Sequence, residues 1–454
     1  MPYQNEVASK TGHGDIKKNP DISEFLEHCE YMDDASEDLG KKIASLYEKI
    51  ELADNLPEKI VASDASRYCE PINGKFPSTQ IGYVKVSLMI IEVNEYNSLK
   101  DMAGFVDPFG VAKLHKNAEP LSFVLPGSNV RYKKASSVND GFRLAIYENF
   151  ISNKYNFYKA GDYNIKDTLF FLHEQDNKLL SIHKCPACKH DIKHTFTKEQ
   201  DKINCKECGA DIFFSDALRL HEQISDFGDN NSAITRFMNL IEHLLVAGFI
   251  RFLYDKAPKR LSNLAFILDG PLAIFGQPAR VHSRLMKFYN SIMTDLKNRY
   301  TMPIIIGLQK TGSLNEHANS IKNFLEPNSY KIVDDEYRKK YIFGTENSDN
   351  FGHETYYGQD FIYKSKKGSV FVFAIPYPYD QKCDGHIFSN QKIKIENYAE
   401  ILPRALKIIE HFEMELYENS ITPIALAHRH VSISLVPGGK ALDLLSKNII
   451  ECKK

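Results

Sequence analysis

Leu264-Ala-Phe-Ile-Leu-Asp-Gly-Pro-Leu272 opens with five apolar residues and closes on an acid and a turn signal. An unbroken apolar run of this length, stopped by Gly-Pro, reads as a strand buried on both faces, because a half-buried strand would alternate. Two similar runs follow it, Pro303 to Leu308 and Val370 to Ile375. Around them the apolar period lengthens. Residues 216–256, 279–299 and 397–418 read as helices, the last with Leu402, Leu406, Ile409 and Phe412 on one face. Buried strands alternating with amphipathic helices predict an α/β core.

Toward the N-terminus the pattern is more mixed. Ile60-Val61-Ala62 is a short apolar run, and Ile81 to Val93 is rich in Val, Ile and Tyr; the turn-prone PINGKFPS separates these two strands. Residues 1–20 read as a polar arm and 21–56 as helix, ended by Pro57. Residues 94–180, punctuated by Pro108, Gly110, Pro120, Pro126 and Gly127, read as loops and short elements. There is no internal repeat.

Composition narrows the function classes. The chain has 454 residues, 43% of them hydrophobic, enough for a sizeable core. Lys and Arg number 57 against 59 Asp and Glu, a net charge of −2. That excludes a uniformly basic nucleic-acid coat and an acidic tail, while leaving room for a local basic channel. The polar N-terminus lacks a signal-peptide or transit-peptide pattern. The apolar stretch Leu244 to Leu253 is broken by Arg251 and too short to span a bilayer. A soluble, cytoplasmic protein is expected.

Cys185-Pro-Ala-Cys188 and Cys205-Lys-Glu-Cys208 are CxxC pairs 16 residues apart. Each pair suits a tight turn that aims two thiolates at one ion, and four thiolates close a tetrahedral Zn²⁺ site. Gly209 suits the second turn. Such a site has no open position and is structural. The lysines around it, such as Lys184, Lys193 and Lys206, suit either a nucleic-acid contact or a solvated ribbon surface.

Asp64, in Ile60-Val-Ala-Ser-Asp-Ala-Ser-Arg67, and Asp269 each follow an apolar strand. Acids held rigidly there suit a divalent cation with hard oxygen ligands, Mn²⁺ or Mg²⁺. They equally suit a turn or a helix cap. Glu242 lies on an otherwise apolar helix face, where an unpaired carboxylate is costly; it either turns outward with His243 or serves a site, and Glu222 is its rival. Lys310, in Ile304-Ile-Ile-Gly-Leu-Gln-Lys-Thr-Gly312, could neutralise a phosphate or sit in a surface turn. His428 and His430, in Ala425-Leu-Ala-His-Arg-His-Val431, could flank a metal or a phosphate, act as acid or base, or be structural.

Taken in order, VASDASR, the Glu242 helix, FILDGPL, IIIGLQKTG and PIALAHRHVSIS resemble the motifs of the NurA nuclease family, over residues ~58–436. The resemblance implies an RNase H-like mixed-sheet core flanked by helices, with the zinc ribbon as an insertion. It implies endonuclease and exonuclease activity on DNA, a homodimer, and partnership with a HerA-type hexameric ATPase. Asp64, Glu242 and Asp269 become ligands of Mn²⁺ or Mg²⁺, and Lys310 and His428 supporting phosphate or acid/base groups. The expected divisions are 1–56, an N-terminal arm and helical segment; 57–180, the first part of the nuclease core; 181–214, the zinc ribbon; and 215–454, the second part. No GxxxxGK[ST] occurs, so ATP-driven movement on DNA would need a partner. The competing readings are a non-catalytic zinc-ribbon DNA-binding or motor-docking subunit, and an enzyme of the same fold acting on RNA.

Overall fold

The computed structural model describes residues 19–29, 34–73, 75–100, 107, 110, 114, 120–152, 163–174, 180–343, 350–383, 385–414 and 419–432. The arm at residues 1–18 and the stretch after 432, which includes Ile433 and Ser434 at the end of the last motif, lie outside them.

One sheet of nine strands dominates. In chain order they are β1 (Glu48–Lys49), β2 (Lys59–Asn73), β3 (Phe76–Glu92) and β4 (Leu121–Pro126), then, after the ribbon strands β5 (Ser181–Lys184), β6 (Asp191–Thr195), β7 (Lys202–Asn204) and β8 (Asp211–Phe213), β9 (Leu264–Asp269), β10 (Ile304–Gln309), β11 (Ser329–Ile332), β12 (Gly358–Lys364) and β13 (Val370–Pro376). The sheet order is β1-β11-β12-β13-β10-β9-β2-β3-β4. Only β2, β9 and β10 run parallel, at its centre; every other pairing is antiparallel. β4-β3-β2-β9-β10, three antiparallel strands continued by two parallel ones, is the part of this mixed sheet that has the strand arrangement expected of an RNase H-like core. The middle of the sheet is buried on both faces: residues 264–268 and all of β10, β12 and β13 are buried.

Helices flank the sheet: α1 (Pro20–Glu27), α2 (Glu37–Ala44), α3 (Val93–Ser98), α4 (Val138–Ile151), α5 (Ile165–Glu174), α6 (Asn231–Lys256), α7 (Val281–Lys297), α8 (Ser313–Ser320), α9 (Gly385–Lys392), α10 (Leu402–Phe412) and α11 (Thr422–Val431). α6 packs on β2, β3 and β9, and α11 on β2 and β3. By length and composition α6 could cross a membrane, but 78% of its apolar window is buried inside the fold. It is the central core helix, which explains why its hydrophobicity runs all round.

Several boundaries differ from the sequence expectation. Residues 21–56 are two short helices followed by the edge strand β1. Their apolar residues do not form one stripe: Phe25 and Leu26 stay exposed, whereas Ile43 enters a small cluster with Leu314, Ile321 and Val333. Residues 216–230 are 3₁₀ turns and loop, and the regular helix begins only at Asn231. In residues 94–180 two sizeable helices stand where the sequence reads as loops and short elements. α4 opens on Ser137, whose side chain accepts from the Asp140 amide, and buries both Arg143 and apolar neighbours. A mixed buried face of that kind hides helical periodicity. The β2–β3 hairpin also consumes most of PINGKFPS as strand, since Asn73 pairs with Phe76.

Gly307 is where β10 must let the segment after β9 come close. A Cβ there would lie 2.6 Å from the Gly270 carbonyl oxygen and 2.9 Å from Leu272 Cγ. Gly307→Ala should therefore cost about 1–3 kcal/mol in urea unfolding. Wild-type stability in that variant would contradict the packing described.

Candidate active site

β2 and β9 pair from Lys59↔Leu264 to Ser63↔Leu268 and then part. The next residue of each strand is Asp64 and Asp269. Two acids thus stand side by side where two parallel strands diverge, a place open to ligands by geometry. Asp64 is 4% exposed. Its Oδ1 accepts the Ala65 amide at 2.7 Å, and its Oδ2 lies 2.8 Å from His428 Nδ1. α11 brings His428 there, and Lys85 of β3 donates to the His430 carbonyl at 2.7 Å, satisfying one of the last carbonyls of that helix. Lys310, just past β10, donates to Asp269 Oδ2 at 2.7 Å.

One ligand atom each from Asp64, Asp269 and His428 lies within 4.8 Å of the others. Glu242 approaches the same acids from α6, buried at 5% exposure; its carboxylate faces the Ser63 hydroxyl and the Asp269 amide, and its Oε1 has no close partner among the described residues. Burial raises the Glu242 carboxyl well above its usual range, and the charges of Asp64 and Asp269 raise it further. Asp269 is pushed up to about 6, first by burial and then by Asp64, against the lowering effect of Lys310 and His428. His428 is raised, chiefly by its hydrogen bond to Asp64. Three largely buried acids that feel one another's charge, one with an orphaned oxygen, form an environment short of positive charge. A hard divalent cation fits that donor set.

The structure therefore brings Asp64, Asp269, Lys310 and His428 together; Glu242 lies outside the group within 4.8 Å but close enough for the charges of Asp64 and Asp269 to act on it. Glu242 does not turn outward, and neither does His243, which is buried. The rival Glu222 lies in a 3₁₀ turn and is held by Arg219 at 2.7 Å. Ser63 and Lys85 carry no signal of their own in the sequence. Ser63 is one residue from Asp64, but its orientation only becomes visible once the register of β2 on β9 is known.

Asp269 also makes stability depend on pH. Its folded value of about 6 lies above the ordinary 3.8, so the metal-free folded chain binds more protons than the unfolded chain between those values. Stability should fall as pH rises from about 4 to about 6, with the raised Glu242 carboxyl adding to the slope in the same direction. Asp269→Asn should flatten that slope in chelator-treated protein; an unchanged slope would show that Asp269 is not the group responsible.

The four cysteines form a second cluster. Cys185 Sγ lies 3.8 Å from Cys208 Sγ, and Cys188 Sγ 3.7 Å from Cys205 Sγ. These are too long for disulfides and match the edge, about 3.8 Å, of a thiolate tetrahedron with Zn–S bonds of about 2.3 Å. The two turns are alike. In the first, the Lys189 amide donates to Cys185 O at 3.0 Å; in the second, the Gly209 amide donates to Cys205 O at 2.9 Å. The residue after each pair has left-handed φ, 63° at Lys189 and 72° at Gly209. The ribbon is bolted to the core: Arg143 of α4 donates to the Asp211 carbonyl at 2.7 Å and holds Asp216, just past the ribbon, at 2.7 Å, and Phe196, Ile212 and Phe214 are fully buried. Lys198 and Lys202 pair with Asp167 and Asp211, so those two lysines are committed to the fold.

No family model matches the chain, and no curated protein sequence does. Among solved structures, the chain is similar to the NurA nuclease from Sulfolobus solfataricus, with a TM-score of 0.39, 9% identity, and 98% of each chain covered. It is also similar to a second structure described as NurA, with a TM-score of 0.26, 11% identity, and 97% of each chain covered. Likeness at this level says nothing about chemistry, which has to come from the side chains.

Proposed function

We propose that the protein is a divalent-cation-dependent DNA nuclease of NurA type. The observation that carries this reading is the convergence of Asp64, Asp269 and His428 within 4.8 Å, backed by the buried Glu242 carboxylate, whose Oε1 has no partner among the described residues. Asp64, Asp269 and Glu242 would hold the cation, whose neutralisation of three crowded acids accounts for their being tolerated together. Bound Mn²⁺ or Mg²⁺ would supply Lewis acidity at a phosphoryl oxygen and acidify a nearby water. Lys310, which clamps Asp269, would offer a fixed positive charge to a scissile phosphate bound at the cluster. His428 is oriented by Asp64 through Nδ1, which leaves Nε2 on a half-exposed ring to take or deliver a proton.

The finer reading extends to the surroundings. The four thiolates hold one structural Zn²⁺. The chain works in the cytoplasm as a homodimer on DNA with a HerA-type hexameric ATPase, in end processing or in defence against phage. The absence of a phosphate-binding loop from the sequence supports a separate motor.

The test is cleavage of linear duplex DNA, circular single-stranded DNA and RNA in Mn²⁺, in Mg²⁺ and in EDTA. Cleavage of DNA that EDTA abolishes is the expected outcome. RNA cleavage alone would move the substrate class, and no cleavage of any substrate would leave the chain as a non-catalytic binding subunit.

A further inference from the structure

The geometry points to Tyr357, which lies outside the acidic cluster, as the residue that sets Glu242 in place against Asp269. The inference rests on the reading of the cluster as a cation site. Three like-charged or proton-sharing acids in a buried space push the elements that carry them apart. Glu242 rides on α6 and Asp269 on the end of β9; the Glu242 carboxylate faces the Asp269 amide and the Ser63 hydroxyl, and its Oε1 has no close partner among the described residues. A contact away from the acids themselves is needed to hold the rotation and height of that helical turn when the acids repel.

Tyr357 makes such a contact from both ends of the residue. Its hydroxyl oxygen shares a hydrogen bond with His243 Nδ1 at 2.5 Å. His243 follows Glu242 directly, so on a helix its side chain leaves about 100° further round the axis. Holding the one ring fixes the direction of the other side chain. Asn239, one turn back, meets His243 Nε2 at 3.3 Å and prevents the ring from turning away. At the other end, the Tyr357 amide donates to the Leu272 carbonyl at 2.8 Å, and its own carbonyl accepts from the Tyr377 amide at 3.0 Å. Leu272 is three residues after Asp269. Tyr357 is thus a single buried strut between the turn that carries Glu242 and the segment that leaves Asp269. Both rings are almost fully buried, in an edge-to-face contact, so water does not replace the bond if it is lost.

Outer partners of this kind usually alter cation affinity 10–100-fold when removed. The experiment compares full-length wild type, Tyr357→Phe, His243→Leu and His243→Asn. Asn can present a polar atom where Nδ1 stands and is the conservative rescue. Mn²⁺ affinity is read by calorimetry, kcat and KM on linear DNA by kinetics, and amide hydrogen exchange is read in metal-free protein. Tyr357→Phe and His243→Leu should weaken Mn²⁺ binding 10–100-fold and lower kcat with little change in KM. His243→Asn should stay within about threefold of wild type. In metal-free Tyr357→Phe, residues 240–246 and 269–273 should gain exchange together while the distant β12–β13 pair does not.

Unchanged exchange at 269–273, or equal loss in His243→Asn and His243→Leu, overturns the proposal. Should Tyr357→Phe fail to fold, the two His243 variants decide by the same readings. The exchange arm needs no metal. Absence of Mn²⁺ binding in wild type would therefore overturn the cation-site reading, and coupled exchange would still report whether Tyr357 joins the two segments.

Discussion

Asp64→Asn should reduce DNA cleavage by at least about 10³-fold without loss of the fold. Asp64 is the residue on which the cluster converges: it stands beside Asp269, accepts the Ala65 amide, and orients His428 at 2.8 Å. Asn preserves the shape but removes the charge that would hold a cation, and it offers His428 a weaker partner. Cation-based stabilisation of a phosphoryl transition state contributes several kcal/mol, and each ~1.4 kcal/mol is tenfold in rate. Circular dichroism and thermal unfolding would establish that the variant is folded. Cleavage at the wild-type rate would remove Asp64 from the site.

The second large effect is expected at the ribbon. Cys185→Ser with Cys188→Ser should remove about one zinc per chain by metal analysis and lower thermal stability by several kcal/mol. Isolated zinc-binding modules owe about 10–16 kcal/mol to the metal, and a ribbon packed into a larger core recovers part of its order without it. The loss should spread beyond the ribbon, because Phe196, Ile212 and Phe214 belong to the same buried cluster as α4, α5 and α6. The Arg143–Asp216 pair, both partners nearly fully buried, would then be left partly broken in a dry setting, which is costly. Purified wild type without zinc would sink the zinc reading. A Tm unchanged in the double variant would show that the ribbon hangs on the core without supporting it.

Much of this is legible in the chain, and the physical reasons differ by residue. Asp269 is visible because its strand is buried on both faces, so five apolar residues run unbroken up to the acid. Asp64 is visible for the same reason, but its strand runs on to Asn73. Past Ser63, β2 leaves β9 and keeps only β3, its burial becomes partial, and the apolar signal stops where the strand does not. The cysteines announce themselves by spacing, since knuckle geometry is local.

Contacts made across the chain are not legible. His428 and Asp64 are 364 residues apart, and His243 and Tyr357 are 114 apart. Pattern reading nominates each of the first pair by type, but gives no reason to join the second. Glu242 is nominated by conflict, an acid on an apolar helix face, and the structure resolves that conflict by turning it toward the other acids. The single N-terminal helix fails because apolar residues at helical spacing stand in for buried ones only where something covers them. Leu39 and Leu46 are exposed beside the buried Ile43.

The central claim is that Asp64, Asp269 and Glu242 form one cation site. Mn²⁺ titration of the zinc-loaded, full-length protein by calorimetry, compared with Asp64→Asn, tests it most directly. The expected result is saturable Mn²⁺ binding in wild type, weakened by a factor of at least about 10 in Asp64→Asn while the zinc content stays unchanged. Equal Mn²⁺ affinity in the two proteins would contradict it.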